Sequence, residues 1–145
     1  MSIQQQVVDL EISLDPEEVL RTMGGVRKGP IKQSIVRMVR EYVGRFQQDI
    51  RPRGVYGVCD VTSISADRLH LRDGYVFEGQ IADFLEPARR VAIFIVTIGE
   101  EIERVAERRM ELGATLEGFT IDAIGSVAAD AAADAMADHV LWSDA

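Results

Sequence analysis

Residues Val91 to Ile98, interrupted only by Thr97, form the longest apolar run in the chain, and its Val91, Ile93, Ile95, Val96 and Ile98 are β-branched, as is Thr97. Branching at Cβ favours a pleated strand over a helix. Both faces of the run are apolar, which predicts a strand in the middle of a sheet, covered on both sides. A membrane-spanning helix needs about 20 apolar residues, so the run is too short to cross a bilayer. Thr97, Gly99 and Glu100 then make a tight junction from strand to helix. That helix reads from Glu100 to Leu112, with Gly113 as its cap.

The flanking segments have clear periods of their own. Gln5 to Ser13 alternates, with Val8, Leu10 and Ile12 against Asp9 and Glu11, and predicts a half-buried strand. Asp15 is placed to cap a short helix, with Pro16 at its first position and Glu18 three residues on. That helix ends at Gly24-Gly25, and Val26 to Gly29 reads as a basic turn. Pro30 opens a second helix whose buried stripe is Ile31, Ile35, Met38, Val39, Tyr42, Val43 and Phe46; it stops before Pro52. Val55 to Ile64 reads as a strand, with Tyr56, Val58, Val61 and Ile64 among its buried residues. Arg68 to Leu71 and Tyr75 to Phe77 flank Asp73-Gly74, a hairpin signal. Glu78 to Leu85 is a short helix closed near Pro87, and a last helix runs from about Leu116 to Leu141.

The resulting order is β-α-α-β-β-α-β-α-α. Strands and helices do not alternate strictly, which argues against a doubly wound parallel sheet. The reading is an α+β fold with a mainly antiparallel sheet of about four strands. At 145 residues the chain fits one domain over 1–145. Hydrophobic residues at 47% supply enough apolar surface to offset chain entropy, so an ordered core is expected. The acidic N-terminus lacks the pattern of a signal peptide, and the single Cys59 excludes an internal disulfide; together these predict a cytoplasmic protein.

Charge is unevenly spread. Residues 21–53 carry nine bases against two acids, whereas from Met110 onward there are seven acids and no base. Two such patches remain solvated faces of separate helices, steer a partner, or neutralise one another within a homodimer. The net charge of −8 argues against nucleic acid as a partner.

Catalytic chemistry finds little support. His70 sits in a strand and His139 near the C-terminus, and no Ser-His-acid spacing, His-Glu-x-x-His or phosphate loop is present. Cys59 reads as a small buried hydrophobe. Gly24-Gly25 and the following basic stretch fit either a plain helix cap or an anion-holding loop before the Pro30 helix. The last helix stands out. Asp122, Ser126, Asp130, Asp134 and Asp138 recur every four residues without a base on the same helix, among alanines and Gly125. That stripe is either a solvated face or a site for cationic groups; with no His among them, the aspartates make a poor metal site.

In order along the chain occur Val19-Leu20-Arg21-Thr22-Met23-Gly24, Glu78-Gly79-Gln80-Ile81-Ala82-Asp83-Phe84-Leu85, Val91 to Gly99 with its Thr-Ile-Gly end, and Ile121-Asp122-Ala123-Ile124-Gly125-Ser126-Val127-Ala128-Ala129-Asp130. From about Asp15 to Ala137 this resembles the activation domain of cobalamin (vitamin B12)-dependent methionine synthase, especially its small free-standing relatives. The resemblance implies an α+β fold around an antiparallel sheet. It implies a domain that binds S-adenosylmethionine and docks on a corrinoid protein while oxidised cobalamin is reduced and remethylated, the cofactors carrying the chemistry. Asp122, Ser126 and Asp130 are the residues carried over as cofactor-binding, with cobalamin held by the partner and no catalytic or metal-binding residue assigned.

The family's Arg-x-x-x-Gly-Tyr motif for S-adenosylmethionine lies downstream of this helix and is not in these residues; Arg21-Thr22-Met23-Gly24-Gly25 does not replace it. The expectation is therefore a domain lacking a C-terminal portion, or a shortened relative. Two functions follow: an accessory module for corrinoid reactivation, or a non-catalytic interaction and dimerisation protein that has lost the ligand site. A stand-alone methyltransferase or hydrolase has no motif in its favour.

Overall fold

A computed structural model describes residues 3–24 and 29–143. The turn read over Val26 to Gly29 and the anion-loop reading of Gly24-Gly25 fall largely on residues 25–28, outside the described residues. Five strands and five α-helices are described: β1 (Gln6–Asp9), α1 (Pro16–Gly24), α2 (Gln33–Phe46), β2 (Arg53–Ser65), β3 (Arg68–Leu71), β4 (Val76–Glu78), α3 (Gln80–Phe84), β5 (Arg90–Thr97), α4 (Glu101–Glu111) and α5 (Thr115–Ser143). The fold is α+β with a mainly antiparallel sheet. The sheet runs β1-β2-β3-β4, with β5 paired to β2. The predicted hairpin supplies two short strands, which raises the expected four to five.

The chain packs as two compact units. One is built from the segment up to Val8 with Val55–Ile95, the other from Asp9–Gly54 with the segment from Val96 on. In the first, β2, β3 and β4 form an antiparallel meander in which Leu69 faces Phe77 and Arg68 faces Glu78. Arg68 and Glu78 pair across the strands at 3.2 Å. The turn forms at Asp73-Gly74 because Gly74 takes φ +89°, open to glycine at little cost, and its N–H donates to the Leu71 carbonyl. Cys59, Leu69, Leu71, Ala82 and Val91 form this unit's core, which places Cys59 among apolar neighbours, as its sequence context predicts.

The structure corrects the reading of Val91 to Ile98 as a strand covered on both sides. Among the described residues β5 pairs with β2 alone in the sheet. Val91 is buried, but Ile95 is 71% and Ile93 37% exposed. An apolar run reports the preference of its side chains for burial; whether neighbouring elements cover both faces is settled elsewhere in the chain.

The second unit is helical and is organised around α5. Asp15 caps α1 as predicted: the Glu17 N–H donates to Asp15 Oδ1 at 2.9 Å, and Glu18 N–H to the Asp15 carbonyl. The alternation begun in β1 continues past its last ladder residue, with Leu10 and Leu14 buried and Glu11 exposed. Helix α2 buries Val39, Tyr42, Val43 and Phe46, the C-terminal half of its predicted stripe. These meet Val19 and Leu20 of α1, Ile102 and Ala106 of α4, and Ile121, Ile124 and Ala128 of α5. Two glycines on α5 admit α4 closely. A Cβ at Gly118 would lie 2.9 Å from Met110 Cγ, and one at Gly125 3.0 Å from Ile102 Cγ2. No helix among the described residues is long and apolar enough to cross a membrane.

A polar cluster borders this core. Tyr42 packs edge-on against Phe46, ring centroids 5.5 Å apart. Arg109 of α4 pairs with Glu117 of α5 at 2.8 Å, both about a third exposed. Burial raises the Tyr42 pKa above its ordinary 10.0, and the negative charge and hydrogen bonding of Glu117 push the same way, against the pull of Arg109. The folded state therefore holds the Tyr42 proton more tightly than the unfolded chain does. Its contribution to stability is complete below pH 10 and is lost as pH rises beyond it.

Two outcomes follow. Ile124 is fully buried, so Ile124→Ala should cost about 2–4 kcal/mol in chemical denaturation. Between about pH 9 and pH 11, unfolding free energy should fall more steeply in the native sequence than in Tyr42→Phe, which has no phenolic proton to lose.

Candidate functional site

Helix α5 is 29 residues long, about 43 Å at 1.5 Å per residue. One side carries Ile121, Ile124, Ala128, Ala132 and Met136 into the core. Asp122, Ser126, Asp130, Asp134 and Asp138 all face solvent. Among the described residues none of these aspartates takes part in an ion pair within the chain. Steps of four residues advance the stripe about 40° each time, so Asp138 lies about 160° round the helix from Asp122. Asp122, Ser126 and Asp130 share one face; Asp134 and Asp138 turn onto the next.

Phe119, which the sequence reading did not single out, falls at the head of the first face. At about 100° per residue it lies between the directions of Ser126 and Asp130. It is 45% exposed and helps line an apolar cavity of about 130 Å³ with Leu20, Met23, Ile31, Ile35 and Leu116. The three predicted residues thus share a face that begins at an apolar recess. The recess is formed by side chains of α1, α5, α2 and the segment leading into it. Its lining is far apart in sequence, and only Phe119 lies at helical spacing from the predicted residues.

A larger open basin, about 740 Å³, lies beside the β5–α4 junction and is lined by Asp49, Arg51, Arg53, Gly99, Glu100, Glu101 and Arg104. The Thr97-Ile98-Gly99 turn builds its floor. The Arg51 N–H donates to the Ile98 carbonyl at 2.8 Å, and the Gly99 N–H to Thr97 Oγ1 at 3.1 Å. Gly99 takes φ +87°, and an added Cβ would stand 3.3 Å from Arg51 Cβ, so both conformation and space favour glycine there. Arg104 pairs with Glu100 at 2.9 Å, and Arg51 Nη1 donates to the Gln48 carbonyl. With three arginines facing three carboxylates, the basin has no net charge.

Among the described residues neither place brings a nucleophile beside a base. His70 is half-buried in β3, and His139 lies 3.4 Å from Ser143 Oγ near the end of α5. Among the described residues no group of three or more His, Cys, Asp or Glu side chains is gathered to hold a metal ion.

No family model matches the sequence, and no curated protein matches it. In fold the chain is similar to the crystal structure of the MetH reactivation domain bound to AdoHcy. The TM-score is 0.59 at 16% sequence identity, over 95% of this chain and 54% of that one. The chain thus spans about half the length of that neighbour, and what the two share is the α+β architecture.

Proposed function

We propose that this chain is an accessory module of a corrinoid methyltransferase system. In this reading residues 1–145 act as one module in the cytoplasm. It binds an S-adenosylmethionine-type ligand on the first face of α5 and docks on a protein that carries cobalamin. The observation that carries the reading is the fold likeness to a reactivation domain crystallised with AdoHcy.

The chemistry of the α5 face fits such a ligand. An adenine ring is flat and stacks by its π face on aromatic side chains, and the recess beside Phe119 offers an aromatic side chain and an apolar lining. The sulfonium and ammonium groups of S-adenosylmethionine are cationic, and Asp122 and Asp130 present carboxylates that no base of this chain neutralises among the described residues. The rise of the helix puts Ser126 about 10 Å and Asp130 about 16 Å beyond Phe119, the span of an extended nucleoside with an amino-acid tail. Ser126 lies between the two aspartates and can donate or accept a hydrogen bond. Cobalamin, when bound on the partner, supplies the methyl-transfer chemistry; the residues named here bind and orient. The chain is thus read as a binding module rather than a stand-alone enzyme.

Isothermal titration tests this. S-adenosylmethionine should bind saturably at one site and more tightly than AdoHcy, which lacks the sulfonium charge. Asp130→Asn should weaken S-adenosylmethionine by about fivefold, the scale of one exposed ion pair, while changing AdoHcy less. Phe119→Ala should weaken both. Absence of heat with either ligand would refute ligand binding by this chain.

A further inference from the structure

The charges of the helical unit do not cancel within the chain. The basic segment puts Arg37, Arg40 and Arg45 on the exposed surface of α2, with Glu41 the one acid of the helix among them. Arg37 enters no ion pair among the described residues, Arg40 reaches Glu17 only at 3.8 Å, and Arg45 stacks over the Phe46 ring at 5.3 Å. Gly44 lies on the same outer side of α2, and nothing stands within 4 Å of where its Cβ would be. A second helix can therefore approach closely there.

The second half of the α5 stripe is the mirror of this surface. Asp134 and Asp138 are exposed, and the next four-residue step is Trp142, 84% exposed, with Leu141 beside it at 68%. No ion pair among the described residues links 122–138 to the bases of 32–53. An open tryptophan flanked by unpaired acids matches the composition of protein interfaces, in which Trp and Arg are the most frequent anchors. The two surfaces also agree in length. Arg37 to Arg45 and Asp134 to Trp142 each span eight residues, about 12 Å of helix.

We propose that a second copy of this chain covers this surface. The α2 arginines of one copy meet Asp134, Asp138 and Trp142 of the other, so that a two-fold dimer makes the contact twice. A two-fold pairing needs both halves of the complementarity on one chain, and this chain carries them. Arginine is the cation suited to both partners, since its guanidinium forks onto carboxylates and stacks on indole. The contact lies beyond the face assigned to the ligand, because the stripe has turned by the time it reaches Asp134. It therefore does not depend on the ligand reading.

Sedimentation equilibrium of the full chain at low and high salt tests the proposal. The expected result is a dimer at low salt that dissociates as salt rises. Two variants decide where the contact lies: Arg37→Glu with Arg40→Glu, and Asp134→Lys with Asp138→Lys. All four positions are exposed, and circular dichroism confirms folding. Each variant alone should be monomeric, and an equimolar mixture should restore the dimer, since each reversed surface then meets its complement. Trp142→Ala should weaken the dimer by about tenfold. A chain that stays monomeric at low salt overturns the proposal. So does a dimer insensitive to the reversals, or a loss that mixing does not restore.

Discussion

The close approach of α4 to α5 is the contact on which the helical unit depends. It exists because Gly118 and Gly125 present no Cβ where Met110 and Ile102 would collide with one. With the two helices in contact, Ile102 and Ala106 reach Ile121 and Ile124, and α1 and α2 close the remaining sides with Val19, Val39 and Phe46. The alanines at 128 and 132 extend the same logic along the helix. Much of the small-residue surface of α5 that looks available to a ligand in the sequence is thus spent on packing within the chain.

This packing also explains how α5 tolerates its aspartates. Like charges four residues apart destabilise an isolated helix by a few tenths of a kcal/mol per pair. Burial of a Leu- or Ile-sized side chain contributes about 1.5–3 kcal/mol, so a helix with a fully buried side sustains the repulsion easily. The acids themselves stay exposed to solvent. Their four-residue spacing does not match the 3.6-residue turn, so the stripe winds round the helix and presents two differently directed acidic surfaces instead of one. The first begins at the apolar recess beside Phe119, and the second ends on an exposed tryptophan.

The basin at the β5–α4 junction is of another kind. Its arginines are partly engaged by carboxylates and backbone carbonyls of their own neighbourhood, and its carboxylates and arginines balance. The Thr97-Ile98-Gly99 turn that forms it holds Arg51 by a backbone hydrogen bond and requires a glycine for its conformation. Its stereochemical demands concern the turn itself, which joins the segment at Arg51 to the start of α4.

Locally encoded features were legible in the residues alone. The Asp15 cap, the Asp73-Gly74 hairpin, the C-terminal half of the α2 stripe, the burial of Cys59 and the extent of α5 each depend on a few neighbouring side chains or on one period. The α+β class followed from the order of such elements. Which surfaces remain uncovered was decided only in three dimensions. Val91 to Ile98 has the composition of a central strand, yet Ile93 and Ile95 are exposed because cover must come from elements remote in sequence. The recess at Phe119 draws its lining from positions 20 to 119, and no local pattern announces that these residues meet. Periodicity reports what a segment can bury; long-range packing, with its own steric and charge constraints, selects what is buried and so what is left to bind.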